Sequence, residues 1–148
     1  MLLHKNHKFI YNHAATIQLP NNVYLDPCPD PCPVEGLVLY SEDMRARAEI
    51  HFITTEKDPE TFLKEGTECY DTFQCTKPIM TVRTNEIEGL TMSYTTKRYI
   101  YEEYVFPIPG EEATLLNLCI EQQRETPTNP DQYAQLITEL LAGVQVID

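Results

Sequence analysis

Tryptophan is absent from this 148-residue chain, glycine occurs five times, and acidic residues outnumber basic ones 23 to 11. Each scarcity narrows the reading. There is no glycine-rich phosphate loop, no Gly-x-Ser-x-Gly elbow and no His-Glu-x-x-His helix, so the motif-bearing enzyme classes lose their support and a non-enzyme is expected. No apolar run approaches the roughly 18 residues of a membrane span. The opening Met1-Leu2-Leu3-His4-Lys5-Asn6-His7-Lys8 is too short in apolar core for a signal peptide, which points to the cytoplasm. The net charge of −12 repels phosphate backbones and anionic headgroups. Nucleic acid and membrane surfaces are therefore not expected as partners; a basic protein is.

What is present fits one folded domain over residues 1–148, with residues 1–7 as a mobile terminal stretch. Hydrophobic residues make up 42% and charged residues 23%, which are globular values. A chain of this length buries roughly 68–70% of its unfolded surface, so it needs no metal or disulfide staple. Cys28, Cys32, Cys69, Cys75 and Cys119 are odd in number, and reduced thiols are expected.

The segment Arg45 to Phe52 alternates strictly: Ala46, Ala48, Ile50 and Phe52 against Arg45, Arg47, Glu49 and His51. That is a half-buried strand, and its wet face implies antiparallel pairing. Phe9 to Leu19 reads as extended chain and Gly36 to Tyr40 as a short strand. Four more strands follow at Ile79 to Arg83, Gly89 to Thr96, Tyr99 to Phe106 and Ala113 to Glu121. The last has apolar residues on both faces and so belongs at the centre of a sheet. Pro109-Gly110 is type II turn chemistry.

Two helices open on an Asx-Pro step, with the Asx at the cap and the proline where a missing N–H costs nothing. Asp58-Pro59 starts the first, whose stripe runs through Phe62, Leu63, Cys69, Tyr70 and Phe73. Asn129-Pro130 starts the second, with Tyr133, Leu136, Ile137, Leu140 and Leu141 on one side, Gly143 at its end and a short strand over 144–147. Strands grouped rather than alternating with helices give an α+β fold. About six to seven antiparallel strands are expected, packed with two amphipathic helices.

Thr16-Ile17-Gln18-Leu19-Pro20-Asn21-Asn22-Val23, then Ile87-Glu88-Gly89-Leu90 leading to the strand Tyr99 to Phe106, then Tyr133 to Val146, follow one another in an order that resembles PsbP-like and DcrB-like domains. The resemblance implies a small α/β/α sandwich and a binding or scaffolding role. Such domains include photosystem-associated subunits, a nuclear-import factor that binds the Ran GTPase, and bacterial chaperone-adaptors for secreted effectors. Many members are exported lipoproteins and carry a Trp after the first strand; here Val23 and Tyr24 stand near that place. No functional residue carries over.

Candidate chemistry is sparse. Cys28-x-x-x-Cys32, in a loop with four prolines, has a spacing that suits half of a zinc site, with His13 or His51 to complete it, or a redox-labile disulfide; the expectation is a structural loop with free thiols, because the prolines fix its shape without a metal. No cofactor is expected. Glu102 and Glu103 are adjacent on a strand and point to opposite faces, so they cannot act on one atom. His51 has no nucleophile tied to it by sequence. Tyr99 and Tyr101 share a face and are the candidate partner-binding residues, since tyrosine is enriched at interfaces. The expectation is a protein-binding or adaptor domain, homodimerisation left open. The alternatives are a cytosolic chaperone-adaptor for a secreted effector and a small-molecule or metal-binding protein using Cys28 and Cys32.

Overall fold

The alternation at Arg45 to Phe52 becomes a strand over Ala46–Thr54 whose residues alternate between buried and half-buried along most of its length. In the computed structural model, which describes residues 3–4, 8–11, 15–27, 35–68, 70, 72–110 and 113–146, the elements run in chain order. They are β1 (Leu3–His4), β2 (Lys8–Tyr11), β3 (Ala15–Gln18), β4 (Val23–Pro27), β5 (Glu35–Tyr40), β6 (Ala46–Thr54), α1 (Pro59–Gly66), β7 (Gln74–Thr84), β8 (Ile87–Thr95), β9 (Tyr99–Pro107), β10 (Thr114–Gln123), α2 (Pro130–Ala142) and β11 (Val144–Val146).

Eight strands form one antiparallel sheet in the order β1-β4-β5-β6-β10-β9-β8-β7, and β11-β3-β2 form a second sheet. The class is the α+β arrangement expected, with more strands than the six to seven anticipated. The difference lies at the N-terminus. The extended stretch from Phe9 splits into β2 and β3, which pair with each other, and Leu3 and His4, assigned to a mobile terminus, pair with Tyr24 and Val23.

β10 is central, between β6 and β9, as apolar residues on both its faces require. Leu116, Leu118 and Ile120 are fully buried on one face, with Ala48 and Ile50 of β6, Leu39 of β5 and Phe106 of β9. Leu136 and Leu140 of α2 and Ile17 and Val144 of the small sheet close this core. On the other face Leu115, Val105, Met92, Tyr94 and Tyr101 pack with Leu63 of α1. The large sheet is thus a middle layer, with α1 on one side and α2 plus the small sheet on the other.

Both helix starts work through their caps. Asp58 Oδ1 accepts from Thr61 N–H at 2.7 Å, and Asn129 Oδ1 accepts from the N–H groups of Asp131 and Gln132. α1 ends at Gly66, short of the stripe expected through Tyr70 and Phe73. Those two rings are brought against the sheet by the chain beyond the helix. Gly110 has φ +80°, the left-handed value its turn requires.

The end of α2 is fastened from a distance. Asn85 and Glu86 both take positive φ, making a tight turn between β7 and β8. From there Asn85 Nδ2 donates to the carbonyls of Ala142 and Val144, each at 2.7 Å, and Thr84 Oγ1 donates to Leu141 O at 2.6 Å. The bonds to Leu141 and Ala142 satisfy carbonyls that a helix end leaves open, and the bond to Val144 ties the turn to β11. At the other end of α2, Thr128 and Ser41 donate to Asp43, and Arg45 N–H does so as well. Burial pulls the Asp43 carboxyl upward, but those donors and the Arg45 charge hold it below its usual value. Tyr133 Oη is buried with no partner among the described residues. Tyr133→Phe removes an unsatisfied hydroxyl and is expected to raise stability slightly, by about 1 kcal/mol; a lowered melting temperature would show a bond at that oxygen.

Candidate functional site

Period-two alternation places Arg47, Glu49 and His51 of β6 on the face that carries α1. The register then lays rows across three strands: Arg47, Glu121 and Tyr101; Glu49, Cys119 and Glu103; His51, Asn117 and Val105. Charged and polar side chains thereby meet in mid-sheet. Arg47 pairs with Glu121, and its Nη2 lies 3.2 Å from Glu49 Oε1. His51 Nε2 lies 3.7 Å from Glu49 Oε2. The His51 hydrogen bond and the Arg47 charge hold Glu49 below its ordinary value against the pull of burial. A side chain at Gly36 would strike His51 Nδ1 at 2.3 Å, so glycine there makes room for the imidazole.

Glu103 is buried, 7% exposed. Tyr94 Oη donates to its Oε1 at 2.8 Å and Asn117 Nδ2 to its Oε2 at 3.0 Å; the Asn117 amide also donates to Tyr104 O. Burial pushes the Glu103 carboxyl above its ordinary value, and the two hydrogen bonds oppose that without cancelling it. Burial, then the nearby carboxylates, push the Cys119 thiol well up, which keeps it protonated and poorly nucleophilic. Glu102 faces the other side, where it accepts from Ser93 Oγ. The two glutamates are therefore separated as the strand pleat dictates.

The tyrosines extend this network into an aromatic cluster. Tyr94 and Tyr101 stack with centroids 4.8 Å apart; Tyr70 lies 5.8 and 5.5 Å from them, Phe73 lies 5.2 Å from Tyr94, and Tyr99 lies 6.0 Å from Tyr101. Tyr101 is buried at 6% exposure and Tyr99 is half-buried. The pair named as partner-binding candidates thus divides into a core ring and a rim ring. Cys28, Cys32, His13 and Cys69 lie outside the described residues. Among the described residues no three His, Cys, Asp or Glu side chains come together as metal ligands.

The strand expected at Ile79 to Arg83 is the longer β7, and what sequence reading did not single out is its place at the open edge. It is the last strand of the large sheet, eleven residues long and mostly exposed. Its pairing with β8 is irregular between Cys75 and Met80, around Lys77-Pro78, and regular from Met80 to Thr84. Bulges, lysine and proline are the usual protections of an edge. The regular half lacks them and displays Met80 at 49% exposure, with Phe73 at 41% just before the strand. The signal was Pro78 itself, since proline in a strand belongs to an edge.

No family model matches the sequence, and no curated protein matches it. Solved structures do. LpqN of Mycobacterium tuberculosis, a protein involved in cell envelope biogenesis, superposes with a TM-score of 0.53 at 15% identity, covering 90% of this chain and 83% of LpqN. The chain shares the LpqN fold. PA94 of Pseudomonas aeruginosa, a protein of unknown function, aligns with a TM-score of 0.46 at 10% identity, over 89% of this chain and 88% of its own. At these identities the likeness to LpqN speaks for the small α/β fold alone. No helix among the described residues is long and apolar enough to cross a membrane.

Proposed function

We propose that this chain is a non-catalytic protein-binding or adaptor domain of the PsbP-like and DcrB-like type, which takes an extended segment of a partner protein along the open edge of β7. The observation that carries the reading is the regular half of that edge, Met80 to Thr84, which has neither bulge nor proline and one charge, Arg83, with Met80 and Phe73 exposed beside it. A partner strand added there gains main-chain hydrogen bonds from the edge and side-chain contacts from the exposed residues. The net charge of −12 favours a basic segment. The polar row in mid-sheet supports a structural role for its residues, because Glu103 is held by two donors and the Cys119 thiol is held protonated. We place the protein in the cytoplasm.

The chaperone-adaptor reading has one observation of its own. An open groove of about 840 Å³ runs between α2 and the ends of β9 and β10, with Ile100, Tyr133, Ala134 and Ile137 on its walls. Such a groove suits an apolar segment of a client.

The test uses a partner captured from the native cell and then reconstituted from purified chains. Met80→Lys puts a charge on the edge and is expected to weaken that complex at least about tenfold. Its stability should change by no more than about 0.5 kcal/mol, as for other surface substitutions. Undiminished binding by Met80→Lys, with loss in Ile137→Lys, would move the interface from the edge to the groove.

A further inference from the structure

The groove between α2 and the ends of β9 and β10 contains a charge that no side chain in it answers. Its volume of about 840 Å³ falls within the roughly 300–1,000 Å³ of small-molecule sites. Ile100 and Glu102 face it from β9, and Tyr133, Ala134 and Ile137 face it from α2. Sites of this kind are mostly apolar, and the few polar groups in them select the ligand.

Glu102 is half-buried. Its Oε2 accepts from Ser93 Oγ, while Oε1 has no hydrogen bond and the side chain no ion pair among the described residues. Among the described residues Arg45 is the one cation on the groove walls, and its charge acts on Asp43. Asp43 also holds the donors Ser41, Thr128 and Arg45 N–H. The acid at the rim is therefore compensated, and Glu102 is not. A carboxylate drawn partly out of water without a cation loses solvation that no pairing returns.

Tyr133 is a second sign at the same place. It is 9% exposed, and its hydroxyl has no partner among the described residues. Burial raises the Tyr133 phenol, and the Glu102 charge is the next cause, so the two groups lie within each other's field. Few buried polar groups in folded proteins go unpaired, and each calls for a reason. A cation seated on Glu102 supplies one reason for both.

We propose that this groove binds a small primary amine with an apolar body, its ammonium on Glu102 and its body along Ile100, Ala134 and Ile137 against the Tyr133 ring. An ammonium has three donors, and the free Glu102 oxygen takes one of them in a charge-assisted bond. The ring wall adds attraction for the cation. A carboxylate ligand of the same shape is repelled by Glu102 and by the net charge of −12. The chaperone-adaptor reading uses the same groove, but the amine needs no client, and the β7 edge takes no part.

Titration calorimetry of the full chain at neutral pH, with phenylbutylamine, phenylbutanol, phenylbutanoate and ethylamine, tests it. Saturable binding is expected for phenylbutylamine, weaker binding for the alcohol, and none for the carboxylate or for ethylamine. Glu102→Gln keeps the shape and can still accept from Ser93; it should weaken phenylbutylamine about tenfold or more, leave the alcohol within about twofold, and not lower the melting temperature. Glu68→Gln, the same charge change at an exposed position beyond α1, should leave the amine within about twofold, because screened charges at a distance contribute little. Ala134→Trp, at an exposed position of α2, fills the groove and should abolish binding while the protein still melts within about 2 °C of the wild type. Absence of saturable binding by the amine, equal affinity for amine and alcohol, equal losses in Glu102→Gln and Glu68→Gln, or undiminished binding by Ala134→Trp would each overturn the site.

Discussion

Replacing Tyr99 and Tyr101 together by alanine is expected to lower the melting temperature by something on the order of 10 °C. The effect should come mainly from Tyr101. That ring is 6% exposed, stacked on Tyr94 at 4.8 Å and tilted against Tyr70 at 5.5 Å. Burial raises the Tyr101 phenol, with Glu121 and Tyr70 adding to the shift, and both of those side chains are hydrogen-bonded to it. Truncating a buried aromatic costs about 3–5 kcal/mol, and the cluster around Tyr101 is tied to β8, β9 and the chain after α1, so it cannot simply collapse into the gap. Thermal denaturation followed by circular dichroism reads the change. Tyr99→Ala alone should account for the smaller part. A double variant that melts within about 2 °C of the wild type would return Tyr101 to the surface and to its candidate role as a contact residue.

The second large effect belongs to Asn117. Asn117→Ala takes away one of the two donors to Glu103 and leaves Tyr104 O without that side-chain partner. A buried carboxylate deprived of a donor costs about 3 kcal/mol at neutral pH. The cost should depend on pH, and its sign follows from the direction of the Glu103 shift. The folded protein holds Glu103 above the ordinary 4.5, so the fold favours the protonated form. Its contribution to stability is complete below 4.5 and is lost as pH rises through the folded value. Asn117→Ala raises that value further and deepens the loss. Denaturant unfolding should therefore show a larger difference between variant and wild type at neutral pH than at pH 4.5. The lowered carboxyls of Asp43 and Glu49 act in the opposite direction, losing stability as pH falls through their folded values, and they cancel between the two proteins. A pH-independent difference would mean that the Asn117 amide does not favour the charged form of Glu103.

Much of this architecture was legible because it is local. Strict alternation at β6, apolar residues on both faces of β10 and two Asx-Pro steps each follow from a few consecutive residues. The same pleat rule separated Glu102 from Glu103. What escaped is set by register between distant strands. Nothing near Glu103 in sequence announces that Tyr94 and Asn117 will supply its donors, because those bonds exist only once β8, β9 and β10 have aligned. The early end of α1 escaped for a related reason: Tyr70 and Phe73 continue the helical spacing by coincidence, and they reach the sheet from irregular chain instead. The small sheet escaped because its middle strand pairs on one side with a near neighbour and on the other with the far end of the chain.

That last pairing bears on how the protein is made. Ile17 sits opposite Val144, and Gln18 N–H donates to Gly143 O at 2.9 Å. On the ribosome, β3 emerges early and waits for β11, so the main core stays unsealed until nearly the whole described chain is out. Loops this long add to the entropy of closure, and contacts of such high sequence separation slow folding. During that interval the apolar face of the large sheet is uncovered, and it is then that the nascent chain stands in greatest need of a chaperone.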